Sequence, residues 1–402
     1  MKQLIKTDYM FKGDIEEGIT QDKFILVENG TIREIIDNSG VIPEADEIID
    51  ARGLKVFPGF IDLHVHLSAT AGSNLAQSIV EKNEYSALRA LHYAKKSLNA
   101  GFTTLRDLGS NGYQIIALKE AIRDKWVKGP RILAAGRPLT ETGGHGDSPF
   151  SNGRVIDGPV EATKAVREQI KAGADVIKIH VSGGGTSPHD NPLEPQLNKD
   201  EIDAIVKEAH SKFRKVAAHA QSNAGIRNAA ASRVDTIEHA LFLDDITCNV
   251  IRNNNLIIVP TMVSPIMTSL KGKDAGVPEW AIRKASEAVE PHSKSVKMAK
   301  KNGLKIGFGT DAGTPFNFHG NNGKEFEILV GSGDLTPLEA IYAATGIASE
   351  ALGPSYKVGK ILPGFNADMV FVEGDPIDDI VVLTKPSNIK RVLLGGIDVD
   401  IK

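Results

Sequence analysis

Cysteine is almost missing: Cys248 is the single one in 402 residues. An internal disulfide framework is thereby excluded, and so is a thiolate cluster for zinc; a bound metal must rely on histidine, carboxylate or something less common. Long apolar runs are missing as well. No stretch approaches the roughly 18 consecutive apolar residues of a membrane helix. The start, MKQLIKTDYMFKGD, carries lysines but neither an apolar h-region nor a small-residue cleavage site. The expectation is a cytoplasmic protein with no membrane partner. Basic blocks are also lacking at a net charge of −4, which argues against nucleic acid or anionic lipid as a partner.

What is present is ordinary globular material, 41% hydrophobic and 24% charged. FILVENGTIREI reads as two strands joined by Asn29-Gly30, a pair that tolerates the positive φ of a tight hairpin turn. ADMVFVEG and VLLGGIDVDI, turning at Gly395-Gly396, have matching texture at the other end. Residues 1–57 and 354–402 are therefore expected to share one small β-sandwich, with 58–353 inserted between them. In that insert, short apolar strands alternate with amphipathic helices: FIDLHVHL, FTTLRDL, RILAAG, ADVIKIHV, KVAAHA, VDTIEHA, LIIVPTM and LKIGFGTD. Asn198 with Glu201, and Thr336 with Pro337 and Glu339, mark helix starts. Eight such alternations favour an α/β fold of the (β/α)8 TIM-barrel type over a doubly wound sheet.

Residues i and i+2 of a strand share a face, so His64 and His66 point the same way near the C-terminal end of strand one, where barrel sites lie. His219 ends strand five, His239 ends strand six and Asp311 ends strand eight. Any one of them could be a core residue bonded to backbone; convergence of all from separate strands favours a metal site, and imidazole with carboxylate suits Zn²⁺. Lys178, in the middle of strand four, reads by itself as a lysine that snorkels to solvent or pairs with an acid. Asp62 shares the face of His64 two residues deeper and reads as a supporting residue.

The signatures PGFIDLHVHL, GFTTLRDLG, GGHGD, VIKIHVSGGG, VAAHA, TIEHA, IVPTM, GFGTDAGT, TPLEAIYAAT and ILPGFNADMVFVEGDPI span nearly the whole chain. Together they resemble the amidohydrolase superfamily, a metal-bearing barrel with a small β-sandwich. The resemblance implies two Zn²⁺ per chain: His64, His66 and Asp311 on the more buried ion, His219 and His239 on the second, and a carbamate on Lys178 bridging both. It also implies that Asp311 is catalytic, taking a proton from the attacking water and passing it to the leaving amine.

Deaminases of the superfamily place a glutamate soon after the strand-five histidine. Here His219 is followed by Ala220-Gln221-Ser222-Asn223, so deamination falls. Lys178 argues against the one-metal, imidazolonepropionase-like pattern. The spacing of GGHGD, IKIHVSGGG, TIEHA and GTDAGT followed by HGNN is most similar to the Xaa-Pro dipeptidase and arginine or lysine carboxypeptidase group, which includes an ochratoxin-type amidase. The expected substrate is a small molecule, a dipeptide or N-acyl amino acid with a free carboxylate, and the expected assembly is a homo-oligomer. A lactam or other cyclic amide is the runner-up. His145, His180, Arg233 and His319 are the candidates for binding substrate. His92, His210 and His292 are expected on helices outside the barrel mouth, and His189 near the entrance.

Overall fold

A computed structural model describes residues 1–38 and 42–400. The alternation seen in the sequence produces eight parallel strands: Phe60–Val65 (strand one), Phe102–Asp107 (two), Arg131–Ala134 (three), Val176–His180 (four), Lys215–Ala220 (five), Thr236–His239 (six), Ile257–Val259 (seven) and Lys305–Ile306 (eight). Helices lie between them, giving a mixed α/β fold. Strands one to three form one sheet, and strands four to eight form a second, which also takes in Leu139–Thr140 and Arg154–Val155. Backbone hydrogen bonds join the two sheets at both borders. Leu63 N donates to Phe308 O at 2.9 Å and His66 N to Ala312 O at 2.8 Å, while Asp175 N, just before strand four, donates to Ala134 O of strand three at 2.9 Å.

Packing reinforces the border between strands eight and one. Phe60, Phe102 and Phe308 lie against Phe326 of the helix Lys324–Gly331, with ring centroids 4.3 Å apart for Phe308 and Phe326 and 5.2 Å for Phe60 and Phe326. All four rings are buried, and burying one such side chain contributes about 1.5–3 kcal/mol. Both expected helix starts are capping boxes: Asn198 Oδ1 accepts from Glu201 N, and Glu201 Oε2 accepts from Asn198 N; Thr336 and Glu339 repeat the exchange. Such caps contribute on the order of 1 kcal/mol each.

One element is shorter than its sequence predicts. LKIGFGTD is expected as a continuous strand, but the ladder ends at Ile306. Gly309 lies so close to strand one that a Cβ there would meet His64 Cβ at 2.9 Å and Val259 Cγ1 at 2.4 Å. Asp311 then turns to φ 59°. The segment therefore leaves the strand path while still bonding to strand one.

Segments from the two ends of the chain share a sheet. Lys55–Pro58 pairs antiparallel with Met369–Val372, in a sheet that also holds Ile389–Leu394 and Met10–Phe11. A four-stranded sheet of Thr31–Asp37, Lys23–Glu28, Lys2–Thr7 and Glu47–Asp50 packs on it. Ile5, Ile25, Val56, Met369, Phe371 and Leu393 are buried together between them. The Asn29-Gly30 pair closes the hairpin between Glu28 and Thr31, and Gly395-Gly396 closes the one between Leu394 and Ile397. No helix among the described residues is long and apolar enough to cross a membrane.

Candidate functional site

The C-terminal ends of the parallel strands open onto a cavity of about 330 Å³. Its floor is His64, His66, Lys178, His219, His239 and Asp311, so the structure brings all six predicted residues together. Ring centroids lie 5.3 Å apart for His64 and His66, 5.0 Å for His64 and His239, and 4.6 Å for His219 and His239. Asp311 Oδ1 stands 3.5 Å from His64 Nε2 and 3.2 Å from His66 Nε2. His64, His66 and Asp311 offer ligand atoms that all lie within 4.8 Å of one another.

Each histidine is held through one ring nitrogen. His64 Nδ1 faces Glu238 Oε2 at 2.9 Å, His66 Nδ1 faces the Gly109 carbonyl at 3.0 Å, His239 Nδ1 faces Thr261 Oγ1 at 2.7 Å, and His219 Nε2 faces the Gly183 carbonyl at 3.1 Å. A nitrogen that donates to oxygen leaves the other with its lone pair, the arrangement that orients metal-binding imidazoles. Burial foremost, and then neighbouring positive charge, holds His64, His219 and His239 well below the ordinary histidine pKa, in the neutral form a metal requires. Burial pulls the His66 pKa down most strongly, but the hydrogen bond and charge of Asp311, the charge of Asp107 and the Gly109 carbonyl together raise it.

Lys178 is the anomaly of the floor. Its side chain is buried, and Nζ has no hydrogen-bond partner. Burial lowers its pKa to about 8. A buried ammonium without a hydrogen-bond acceptor is costly, although the charges of Glu238 and Asp311 offset part of that cost. Backbone strain gathers at the same place: His239, Ala240, Thr261 and Asp311 all have positive φ, between 50° and 70°. Non-glycine residues in such conformations cost of order 1–3 kcal/mol each, and they cluster at functional sites.

Support for the floor comes from residues the sequence reading did not single out. Glu238, fully buried, bonds His64 with one oxygen and Arg106 Nη2 with the other at 2.9 Å. Ser264 Oγ donates to Asp311 Oδ2 at 2.9 Å. Glu325 accepts from the backbone N–H groups of Met262 and Val263, clamping the turn that carries Thr261 and Ser264. Asp62 has the supporting place expected: its oxygens accept from Thr310 and Asn322, and burial raises its pKa to about 6. The IVPTM signature was the available signal for the turn; nothing local marks Ser264 or Glu325.

The four residues expected to bind substrate divide evenly. His145 and His180 line the cavity, their rings 5.2 Å apart, and His180 Nδ1 is buried without a partner. Arg233 does not. It is exposed at the start of strand six, the end opposite the cavity. His319 is also outside the lining: it is buried, stacks on Tyr93 at 4.9 Å, and directs Nε2 at the His66 carbonyl at 3.2 Å. The expectation for His292 is corrected as well. The helix Glu279–Lys301 leans over the mouth, so His292 lines the cavity and bonds the His239 carbonyl at 2.9 Å. His189 is exposed and absent from the lining. His92 and His210 are exposed helix residues, as expected.

With the geometry in hand, the similarity to known proteins is informative. Residues 55–397 match the model of the amidohydrolase family. The chain is 30% identical over 367 residues to ochratoxinase from Aspergillus niger, covering 85% of this chain and 75% of that protein. Its fold is similar to that of a Xaa-Pro dipeptidase with methionine bound in the active site, with TM-score 0.91 and 33% identity over 99% of this chain and 100% of that one. It is equally similar to a prolidase complexed with N-methylphosphonate-L-proline, with TM-score 0.91 and 32% identity over 99% of each chain.

Proposed function

Because the chain belongs to the amidohydrolase family and is a hydrolytic enzyme, we propose that its cavity cleaves the amide bond of dipeptides or N-acyl amino acids bearing a free C-terminal carboxylate, with two Zn²⁺ per chain. The observation that carries this reading is the partnerless, buried Lys178 Nζ among four imidazoles and a carboxylate. Once Lys178 Nζ has given up a proton, which its lowered pKa favours, the free amine can add to CO₂ and release a second proton; the resulting carbamate replaces a cation by a two-oxygen anion, which suits a pair of cations. His64, His66 and Asp311 would hold one ion, His219 and His239 the second, and the Lys178 carbamate both. Bound divalent metal supplies Lewis acidity that polarises a carbonyl and lowers the pKa of water.

The protein's own part is positional. Ser264 holds Asp311 at Oδ2, leaving Oδ1 on the histidine side, where the carboxylate takes a proton from the attacking water and delivers it to the leaving amine. His145 and His180 are proposed to meet the substrate carboxylate. The methionine bound in the similar dipeptidase and the N-methylphosphonate-L-proline bound in the similar prolidase support that class. We extend the reading to the architecture. The two parallel sheets act as one (β/α)8 barrel over 58–353, with a β-sandwich of 1–57 and 354–402; within those segments, residues 39–41 and 401–402 lie outside the described residues.

A second reading, hydrolysis of a lactam or other cyclic amide, is favoured by one observation. No arginine lines the cavity among the described residues, and Lys284, the lining lysine besides Lys178, is bonded to Asp190 and backbone carbonyls. Zinc-loaded enzyme should be assayed with a dipeptide, its C-terminal amide and a cyclic amide. Preference for the free acid supports the first reading. Equal kcat/KM for acid and amide, together with turnover of the cyclic amide, moves the assignment to the second.

A further inference from the structure

Beside the cavity floor, three largely enclosed side chains from three segments form a continuous chain. His145, in the loop after strand three, directs Nδ1 at Asp190 Oδ2, 3.0 Å away. Asp190 lies in the loop after strand four, and its Oδ1 accepts from Lys284 Nζ at 3.1 Å. Lys284 belongs to the helix Glu279–Lys301, which follows strand seven. Its ammonium also donates to the carbonyls of Ser187 at 2.6 Å, Gly184 at 3.1 Å and Asp190. The side chains are 11% exposed for His145, 2% for Asp190 and 9% for Lys284.

A buried ion pair is weak evidence for stability, since well-packed apolar residues serve as well or better. This pair does something apolar residues cannot. It gives His145 Nδ1 a fixed acceptor, so the ring cannot flip without losing a charge-assisted hydrogen bond. Other contacts hold the remaining sides of the ring. It stacks on His219 at 4.5 Å with planes 19° apart, and Gly184 packs against it so closely that a Cβ would meet Cε1 at 2.4 Å. His145 and Thr186 both line the cavity, and the one hydrogen-bond contact Nε2 makes among the described residues is with Thr186 Oγ1 at 3.5 Å, the outer limit of a hydrogen bond.

We propose that Asp190 and Lys284 are positioning residues that fix His145 with Nε2 facing the cavity, where it meets the substrate's polar end. The contact with substrate rests on the amide-hydrolase reading; the fixing of the ring does not.

Zinc-loaded wild type, Asp190→Ala, His145→Ala and the double variant should be compared on a free-acid dipeptide, with metal content and Tm recorded for each. Lys284→Met, which keeps the packing of the stem, takes the place of Asp190→Ala if that variant does not fold. The expected result is a rise in KM of about tenfold or more for Asp190→Ala, the scale of a lost hydrogen bond to a charged group, with kcat little changed. On the His145→Ala background the same substitution should add less than about twofold, because both act through one imidazole. Losses that multiply, or an unchanged KM in a folded, metal-loaded Asp190→Ala, overturn the proposal. If the wild type cleaves no such dipeptide, the functional reading fails and the ¹⁵N spectrum of histidine-labelled holoenzyme decides the positioning. His145 protonated at Nδ1 in the wild type, and redistributed between tautomers in Asp190→Ala, supports it; Nδ1 unprotonated in the wild type rejects it.

Discussion

Glu238 and His64 are 174 residues apart in the chain, yet Oε2 of one lies 2.9 Å from Nδ1 of the other, and neither is more than 1% exposed. The carboxylate sits between an imidazole of the site and the Arg106 guanidinium, which in turn donates to the Leu63 carbonyl at 2.6 Å. Strand six is thereby tied to strands one and two underneath the cavity floor. Glu238→Ala leaves Arg106 unpaired in the interior, and destabilisation of about 3–5 kcal/mol is expected in denaturant unfolding. Glu238→Gln keeps the shape and an acceptor but not the charge. Its expected signature is a loss of about 10–100-fold in metal affinity, read by chelator competition, with a smaller loss of stability than Glu238→Ala because Arg106 keeps an acceptor.

Lys178→Ala should remove activity and part of the bound metal together. Elemental analysis of wild type should give close to two Zn²⁺ per chain, and the variant distinctly less. Short carboxylates added with zinc should restore some turnover by supplying the missing anionic bridge. Wild-type turnover in Lys178→Ala overturns the carbamate assignment, and one metal at full activity overturns the binuclear one.

The pattern of strand ends was legible because it depends on a simple rule. Alternation put His64 and His66 on one face, and His219 and His239 fall at the ends of strands five and six, with Asp311 just beyond strand eight. The same rule fails one residue away from its success. Glu238 and His239 are adjacent, so a regular strand would send them to opposite faces, yet both reach His64, Glu238 by a hydrogen bond and His239 by ring contact. The positive φ of His239, 70°, breaks the alternation. Positive φ is uncommon for any residue but glycine, and nothing in the local sequence requires it here, so tertiary packing imposes it. Strand eight is shorter than its sequence predicts for a related reason, since Gly309 and Asp311 obey the proximity of strand one rather than local propensity. Arg233 was misread because its charge was visible while its end of the strand was given no weight. Asp190, Lys284 and Ser264 come together only through the loops and the helix over the mouth, whose paths no periodicity encodes.

His319 is misplaced as a substrate group but should act as an acid-sensitive one. Burial lowers its pKa to about 3, against about 6.5 in an unfolded chain. Below pH 6.5 the unfolded chain binds a proton that the folded one refuses, so stability falls as pH drops toward 3 and is insensitive to this group above 6.5. His319→Phe keeps an aromatic ring beside Tyr93 and removes the titration. The variant should be less stable at pH 7, having lost the bond to the His66 carbonyl, and should lose less Tm than wild type between pH 7 and pH 5. Parallel pH profiles would reject this role.

Arg233→Met and His145→Ala form a paired test of where substrate binds. Arg233 is exposed at the far end of strand six, and surface substitutions of that kind usually stay within about 0.5 kcal/mol. Its kcat/KM should therefore match wild type within about twofold. His145→Ala removes a cavity imidazole and should raise KM for the free acid while both metals stay bound. A large effect of Arg233→Met would reassign carboxylate recognition to a second copy of the chain or to a long-range field, either of which the ionic-strength dependence would expose.

Proton transfer can be separated from ligation at Asp311. Asp311→Asn keeps an oxygen toward His64 and His66 but cannot carry a proton, so kcat should fall by about 10²–10⁴-fold, the usual scale of general acid–base catalysis, while metal content changes little. Ser264→Ala gives the intermediate case, because it removes the donor at 2.9 Å from Oδ2 and leaves the carboxylate able to ionise. Its expected loss in kcat is about tenfold, from a carboxylate free to rotate away from the histidine side. If Asp311 is only a ligand, the order reverses. Asp311→Asn would then lose metal before it loses turnover per bound metal, and Ser264→Ala would be silent. Measuring kcat per zinc for both variants distinguishes the two cases, and a metal-loaded Asp311→Asn slowed less than about tenfold assigns the proton to another group.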